Sequence, residues 1–229
     1  MAQDFINLLS KEQRIRLGFY QEFKDDAEKA YNFVMQSTDN ELPIHTSEFG
    51  ENLKDDGIYL VDVNGNTVKF VGDKTDETVH RIAYIGIVEG SKRLKVSVNE
   101  FKKPLQDENF NRDTIKYYDG YIKYGLDALM DWNGKENTKH ILIQNPQLMS
   151  FLKEGEYIPA LGQLAFIWHH RNELNEALEF VGCNPLSQTY TWSSTEECDI
   201  YNWFLYFSNC SINNINKLNR FTVRPVADF

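Results

Sequence analysis

Several groups of side chains have the type and spacing for chemistry. Glu196, Glu197 and Asp199 stand almost side by side, and a hydrolase working by acid and base needs two carboxylates. Nothing else near them completes such a site, so the expectation is an acidic loop beside a binding surface. His169-His170 offers two imidazoles, yet adjacent positions on a helix do not face each other. The pair reads as the polar side of a surface helix. Asp62-x-Asn64-x-Asn66 has the opening of a calcium loop, but Thr67 stands where that loop needs glycine and no glutamate closes it. A hairpin turn is expected instead. The three cysteines, Cys183, Cys198 and Cys210, are odd in number and lack the spacing of a zinc site or a disulfide framework. Free thiols are expected, with one bridge left open. No phosphate-cradling glycine loop and no nucleophile motif is present. The residues therefore point away from an enzyme: no catalytic set, no metal and no cofactor is expected.

The bulk properties narrow the partners. The chain has 229 residues, of which 34 are acidic and 24 basic, for a net charge of −10. A field of that sign repels phosphate backbones, so nucleic acid is not an expected partner. No apolar run is long enough to span a bilayer. The segment Met1-Ala2-Gln3-Asp4-Phe5 lacks the charged and apolar regions of a secretory signal. With 41% hydrophobic residues the chain can build one sizeable core or two modest ones.

The elements that must position any site follow from periodicity. Ser10 with Gln13 fits a capping box, and Ile15, Phe19, Phe23, Ala27, Tyr31 and Val34 make one apolar stripe, predicting a helix over residues 10–36. That stripe offers a face for homo-oligomerisation or for attachment to a larger particle. Residues 37–56 read as a linker, so the division expected is an N-terminal helix and linker over 1–54 and a binding domain over 55–229. Ile58 to Val63 and Thr67 to Phe70 flank Asn64-Gly65, the strongest short hairpin signal. Arg81 to Val88 and Leu94 to Val98 form a second strand pair across Glu89-Gly90-Ser91. Helices are expected over 113–131, over 137–152 with Pro146 interrupting, and most clearly over 160–181. There Leu164, Ile167, Trp168, Leu174, Leu178 and Val181 share a face, and Gly182 sits at the C-terminal cap. Tyr190 to Ser194 is strand-like.

The most informative segment is 199–219. Trp203, Leu205 and Phe207 alternate with Asn202, Phe204, Tyr206 and Ser208, and period two sends the two sets to opposite faces of a strand. The first set is uniformly apolar and suits a core. The second mixes aromatic and small polar residues, as adaptable binding surfaces do. The asparagines that follow have a plainer reading, because asparagine at such density marks turns.

The run Trp192-Ser193-Ser194-Thr195, then Trp203-x-Leu205-x-Phe207, then an Asn-rich stretch around Ile212 and Lys217, then Val223-Arg224-Pro225-Val226, resembles the C-terminus of the variable proteins of diversity-generating retroelements, of the gut Bacteroidales and phage type. Tyr157 to Leu164 resembles the start of that family's second helix, and Gly57 to Asp62 before Asn64-Gly65 its opening hairpin. The resemblance covers roughly residues 55–229. It implies an α+β, C-type-lectin-like domain of the formylglycine-generating-enzyme branch, with two helices around a small antiparallel sheet. It also implies that adenine-directed mutagenesis of asparagine codons diversifies a ligand-binding surface. Such codons reach every residue except Met, Trp, Lys, Gln and Glu. Between Cys198 and Arg220 only Trp203 and Lys217 belong to that excluded set. The variable, ligand-binding positions implied are Asp199, Tyr201, Asn202, Phe204, Tyr206, Ser208, Asn209, Cys210, Ser211, Asn213, Asn214, Ile215, Asn216, Leu218 and Asn219. The scaffold implied is Trp192, Trp203, Leu205, Phe207, Ile212, Lys217 and Arg224.

The sequence departs from the family in two informative places. Ala160 replaces a serine, which removes a helix cap, and Cys210 replaces a turn glycine. The calcium triplets of sugar-binding lectins are missing. The fold branch also includes an oxidase that uses paired cysteines, for which Cys198 and Cys210 lie in the right part of the chain. The expected function is recognition of a protein or cell-surface macromolecule by a virion component, such as a phage receptor-binding protein, or by a cell-surface protein. The alternative is a lectin-like structural or adhesin module that is not diversified.

Overall fold

The computed structural model describes residues 55–72, 81–111, 113 and 118–229. The N-terminal helix, the linker and the oligomerising stripe expected over 1–54 lie outside them. Among the described residues the chain is α+β, with two five-stranded sheets and four α-helices, rather than two helices around one small sheet.

The first sheet forms from the two expected hairpins. Strands β1 (Gly57–Asp62) and β2 (Thr67–Lys69) pair antiparallel, Tyr59 opposite Lys69, across a turn in which Gly65 takes φ 86°. The turn explains the Asp62-x-Asn64-x-Asn66 spacing. The Asp62 carboxylate accepts from the Asn64 and Asn66 backbone N–H groups at 2.7 and 2.9 Å and from Asn66 Nδ2 at 2.8 Å. Strands β3 (Ile82–Glu89) and β4 (Lys92–Ser97) form the second hairpin. The order is β10-β4-β3-β1-β2, where β10 (Val226–Ala227) brings the chain back to β4. The second sheet has the order β5-β9-β6-β7-β8, from β5 (Phe101–Lys103), β6 (Tyr190–Glu196), β7 (Tyr201–Tyr206), β8 (Ser211–Asn216) and β9 (Phe221–Val223). Its pairs are antiparallel except β6 with β9.

The helices differ from expectation in three instructive ways. Only Gly125–Leu129 (α1) is helical within 118–131. The backbone just before it is recruited elsewhere: Ile122 N–H donates to Glu196 O at 2.8 Å, and its carbonyl accepts from Trp203 Nε1 at 2.7 Å. Helix α2 (Gly134–Gln144) ends before Pro146, and a 3-10 turn (Pro146–Ser150) follows, the interruption a proline imposes. The helix expected over 160–181 is two, α3 (Leu161–His169) and α4 (Arg171–Phe180), separated by His170 at φ −89° and ψ 14°. Arg171 stabilises the break. Its guanidinium lies 3.9 Å over the Trp168 ring and donates to Trp168 O at 3.1 Å, satisfying a terminal carbonyl.

Both ends of the α3–α4 unit are closed. Ala160 has no side-chain acceptor, so Thr195 supplies one: Leu161 N–H donates to Thr195 Oγ1 at 2.9 Å, while Ala160 N–H donates to Gln163 Oε1 at 2.8 Å. At the far end Gly182 takes φ 72°. Cys183 N–H donates to Leu178 O and Gly182 N–H to Glu179 O, the paired bonds of a Schellman cap. Helix α3 packs on β6 and β7 and α4 on β1 and β3, so this unit joins the two sheets. The main core gathers Leu60, Ile85, Ile87 and Val96 from the first sheet, Leu164, Ile167, Leu174 and Leu178 from the helices, and Trp203, Leu205 and Phe207 from the second sheet. A second apolar cluster (Leu105, Ile141, Leu148, Ile158, Trp192, Phe204, Val223) fills the other side of the second sheet.

Candidate functional site

The hairpin β7–β8 carries most of the positions expected to meet a ligand. Its roots are fixed. Trp203, Leu205 and Phe207 are buried in the main core, and Trp168 Nε1 donates to Phe207 O at 2.9 Å. Trp192 is fully buried, and its Nε1 donates to Lys103 O at 3.2 Å. Arg224 is buried too, donating to Ser97 O at 3.1 Å and pairing with Glu100 at 2.7 Å. Ile212 is half-buried against the core.

Lys217 is 0% exposed and closes a polar network. Its Nζ lies 2.9 Å from Glu196 Oε1 and donates to Gln144 Oε1 at 3.1 Å and to Asp199 O at 3.2 Å. The other Glu196 oxygen meets His140 Nδ1, and Gln106 Nε2 donates to Gln144 Oε1 at 3.0 Å. The Tyr118 ring stacks on the His140 imidazole with centroids 3.7 Å apart. Burial pushes the Lys217 amine below its ordinary range, against the opposing pull of Glu196. Glu196 is thus no part of an exposed acidic loop. It is a buried carboxylate engaged by three neighbours, an arrangement that fixes structure.

The remaining positions divide by exposure. Asp199, Tyr201, Ser208, Asn209, Ser211, Asn213 and Leu218 are exposed, and Tyr206, Cys210, Asn214, Ile215, Asn216 and Asn219 are half-buried. Asn202 and Phe204 do not face solvent as expected. Asn202 is 0% exposed, its Nδ2 donating to Ser193 O at 2.7 Å. Phe204 is 9% exposed within the second apolar cluster. Strand β7 lies between β6 and β8, and its interior, Asn202 to Leu205, is covered on both faces, so the period-two alternation there separates two buried sides rather than a core from solvent.

The exposed positions also do not form one continuous set. Register places Tyr206, Ser211, Asn213 and Ile215 on the face shared with Phe204, and Tyr201, Asn214 and Asn216 on the opposite one. Ser208, Asn209 and Cys210 form the turn between the strands. Cys210 occupies the left-handed position, φ 57°, that its stand-in for a glycine required. Several asparagines serve the turns themselves: Asn209 Oδ1 accepts from Ser211 N–H at 3.0 Å, and Asn216 Oδ1 from Leu218 N–H at 2.9 Å.

Two contributors were not singled out from sequence. Tyr190 lies opposite Tyr206 on β6 and is 46% exposed, and half-buried Phe221 comes from β9. Their rings join Tyr206, Phe204 and Trp192 in one cluster. Centroids lie 4.7 Å apart for Tyr190–Tyr206, 5.1 Å for Tyr190–Phe221 and 4.7 Å for Trp192–Phe221. Tyr190 was legible, since it shares a strand face with Trp192 at a spacing of two.

Other chemistry is constrained by the same geometry. All three cysteines are free. Strand β7 separates Cys198 from Cys210, and a six-residue strand spans roughly 20 Å. Burial pushes the Cys210 thiol up to about 12 and also raises Cys198, the reverse of an activated thiolate. The residues do not assemble a paired-cysteine site. The expectation that His169 and His170 diverge fails: with Glu89 they bring three donor atoms within 4.8 Å of one another. Burial lowers the His170 imidazole below its ordinary value, partly offset by Glu89.

Comparison with known proteins rests on shape. No family model matches the chain, and no curated protein matches it. A solved fimbrial protein from Bacteroides ovatus superimposes with a TM-score of 0.55 at 16% identity, covering 76% of this chain and 49% of that one. The chain therefore shares an α+β fold with a fimbrial protein and spans about half of that protein's length. No helix among the described residues is long and apolar enough to cross a membrane.

Proposed function

We propose that this chain is a recognition module of a surface-exposed assembly, that it binds a macromolecular partner without covalent chemistry, and that hairpin β7–β8 makes the contact. The observation that carries this reading is the ring cluster of Tyr190, Tyr206 and Phe221, rimmed by Ser211 and Asn213 and anchored on buried Trp192 and Phe204. Rigid aromatics beside small polar residues provide contact area at low entropic cost and adaptable hydrogen bonding. The fimbrial likeness supports a surface setting. The resemblance of the C-terminal motif supports a C-type-lectin-like architecture diversified by a retroelement, in a phage receptor-binding protein or a bacterial adhesin. On that reading Asn202 and Phe204 belong to the fixed scaffold.

Binding of the fluorescently labelled full chain to a panel of gut bacterial cells tests the module. The double change Tyr206→Ala with Asn213→Asp is expected to lower binding about tenfold or more, as loss of a central aromatic contact does. Undiminished binding by a folded variant would remove the hairpin from the interface. Gene context decides diversification separately. A neighbouring reverse transcriptase, with a second copy of the 3′ segment differing only at adenines, is expected. Its absence leaves a lectin-like adhesin or structural module that is not diversified.

A further inference from the structure

The α3–α4 break and the β3–β4 turn meet at a cluster that the recognition hairpin does not use. His169 is the last residue of α3, His170 is the non-helical residue after it, and Glu89 ends β3. One donor atom of each residue lies within 4.8 Å of the other two. The His170 Nε2 is buried without a hydrogen-bond partner and lies 3.5 Å from Glu89 Oε2. That separation exceeds the roughly 2.7–3.2 Å of a good N–H···O bond. It is an ion-pair distance, and it also suits two ligands of one ion, because donors about 2.0–2.1 Å from zinc at the tetrahedral angle stand roughly 3.3–3.5 Å apart. The His170 ring is held edge-on by Phe166 at 4.9 Å and by His169 at 5.0 Å.

We propose that Glu89, His169 and His170 form a binding site for one divalent transition-metal ion, zinc in the first instance, with water completing its coordination. Two imidazole nitrogens with one carboxylate oxygen suit zinc, whereas calcium and magnesium call for oxygen ligands throughout. The bound ion would clamp the β3–β4 turn to the α3–α4 break. Trp168 lies one residue before these histidines and donates to Phe207 O, so the clamp would also steady one root of the recognition hairpin.

Calorimetric titration of the tag-free full chain with zinc chloride tests the site. One ion per chain is expected, with no response to calcium. Glu89→Gln and His170→Ala should each weaken zinc about tenfold or more, the effect of removing one of three protein ligands. Glu89 lies at a strand end beside a turn, so Glu89→Gln tests the site even where His170→Ala disturbs packing. Cobalt should give visible bands free of thiolate charge transfer, which separates this site from the cysteines. Failure to bind zinc, wild-type affinity in Glu89→Gln, or a thiolate band would each overturn the proposal.

Discussion

Asn202 shows how a single side chain divides surface from scaffold. Its position on the strand reads as solvent-facing, and its residue type is one that asparagine-codon mutagenesis would alter. Yet its amide is enclosed, donating to Ser193 O at 2.7 Å and Trp203 O at 3.2 Å. Asn202→Ala leaves buried carbonyls without their donor and is expected to cost about 1–3 kcal/mol of stability. Ser211→Ala and Asn213→Ala, at exposed neighbours, should stay within about 0.5 kcal/mol. Urea unfolding of the three variants checks the division, and equal losses would refute it. The apolar identity of Trp203, Leu205 and Phe207 was enough to place them inside. What hides Phe204 is a second cluster contributed by Ile141 and Leu148, from a helix and a turn more than fifty residues earlier, while Asn202 is enclosed by hydrogen bonds to its own sheet. No local pattern discloses such a long-range cover.

Elements with complete local signals were legible, and those governed by distant hydrogen bonds were not. Asn64-Gly65 set the first hairpin, and Gly182 set the cap of α4. The break at His170 and the irregular backbone before α1 depend on Arg171 with Trp168 and on Ile122 with Glu196 and Trp203. Helix α3 shows how tightly elements meet. A Cβ at Gly162 would lie 2.5 Å from Leu129 O and 2.7 Å from Asp131 O, both backbone atoms that move only with the chain. Gly162→Ala is therefore expected to destabilise by about 1–3 kcal/mol through overpacking, although alanine is the better helix former. Thermal unfolding measures this, and a stabilised variant would contradict the close approach.

The whole molecule carries a pH signature from its buried phenols. Burial is the largest cause of a raised pKa at each of five described tyrosines, Tyr59 among them. Tyr84 and Tyr121 are pushed up to about 12, with Glu156 and Glu196 adding to the effect, and Tyr118 and Tyr157 are raised as well. A phenol with a raised folded-state pKa stays protonated where the unfolded chain, near pH 10, has begun to ionise. The folded state then holds more protons, so stability is fully present below about pH 10 and falls as pH rises toward 12. Denaturant unfolding across that window, read beside tyrosinate absorbance, should show stability declining before the folded phenols titrate. A flat profile would mean the rings are wetter than their positions indicate. The two-sided enclosure of β7 has a further consequence, for building binders on this framework. A combinatorial library randomised at the outward positions of β8 and its flanking turns, with Ile212 and Lys217 held fixed, would keep most of its members folded. One extended into Asn202 to Leu205 of β7 would spend its diversity on chains that never assemble, because choosing a new partner there is inseparable from keeping both buried sides of the strand intact.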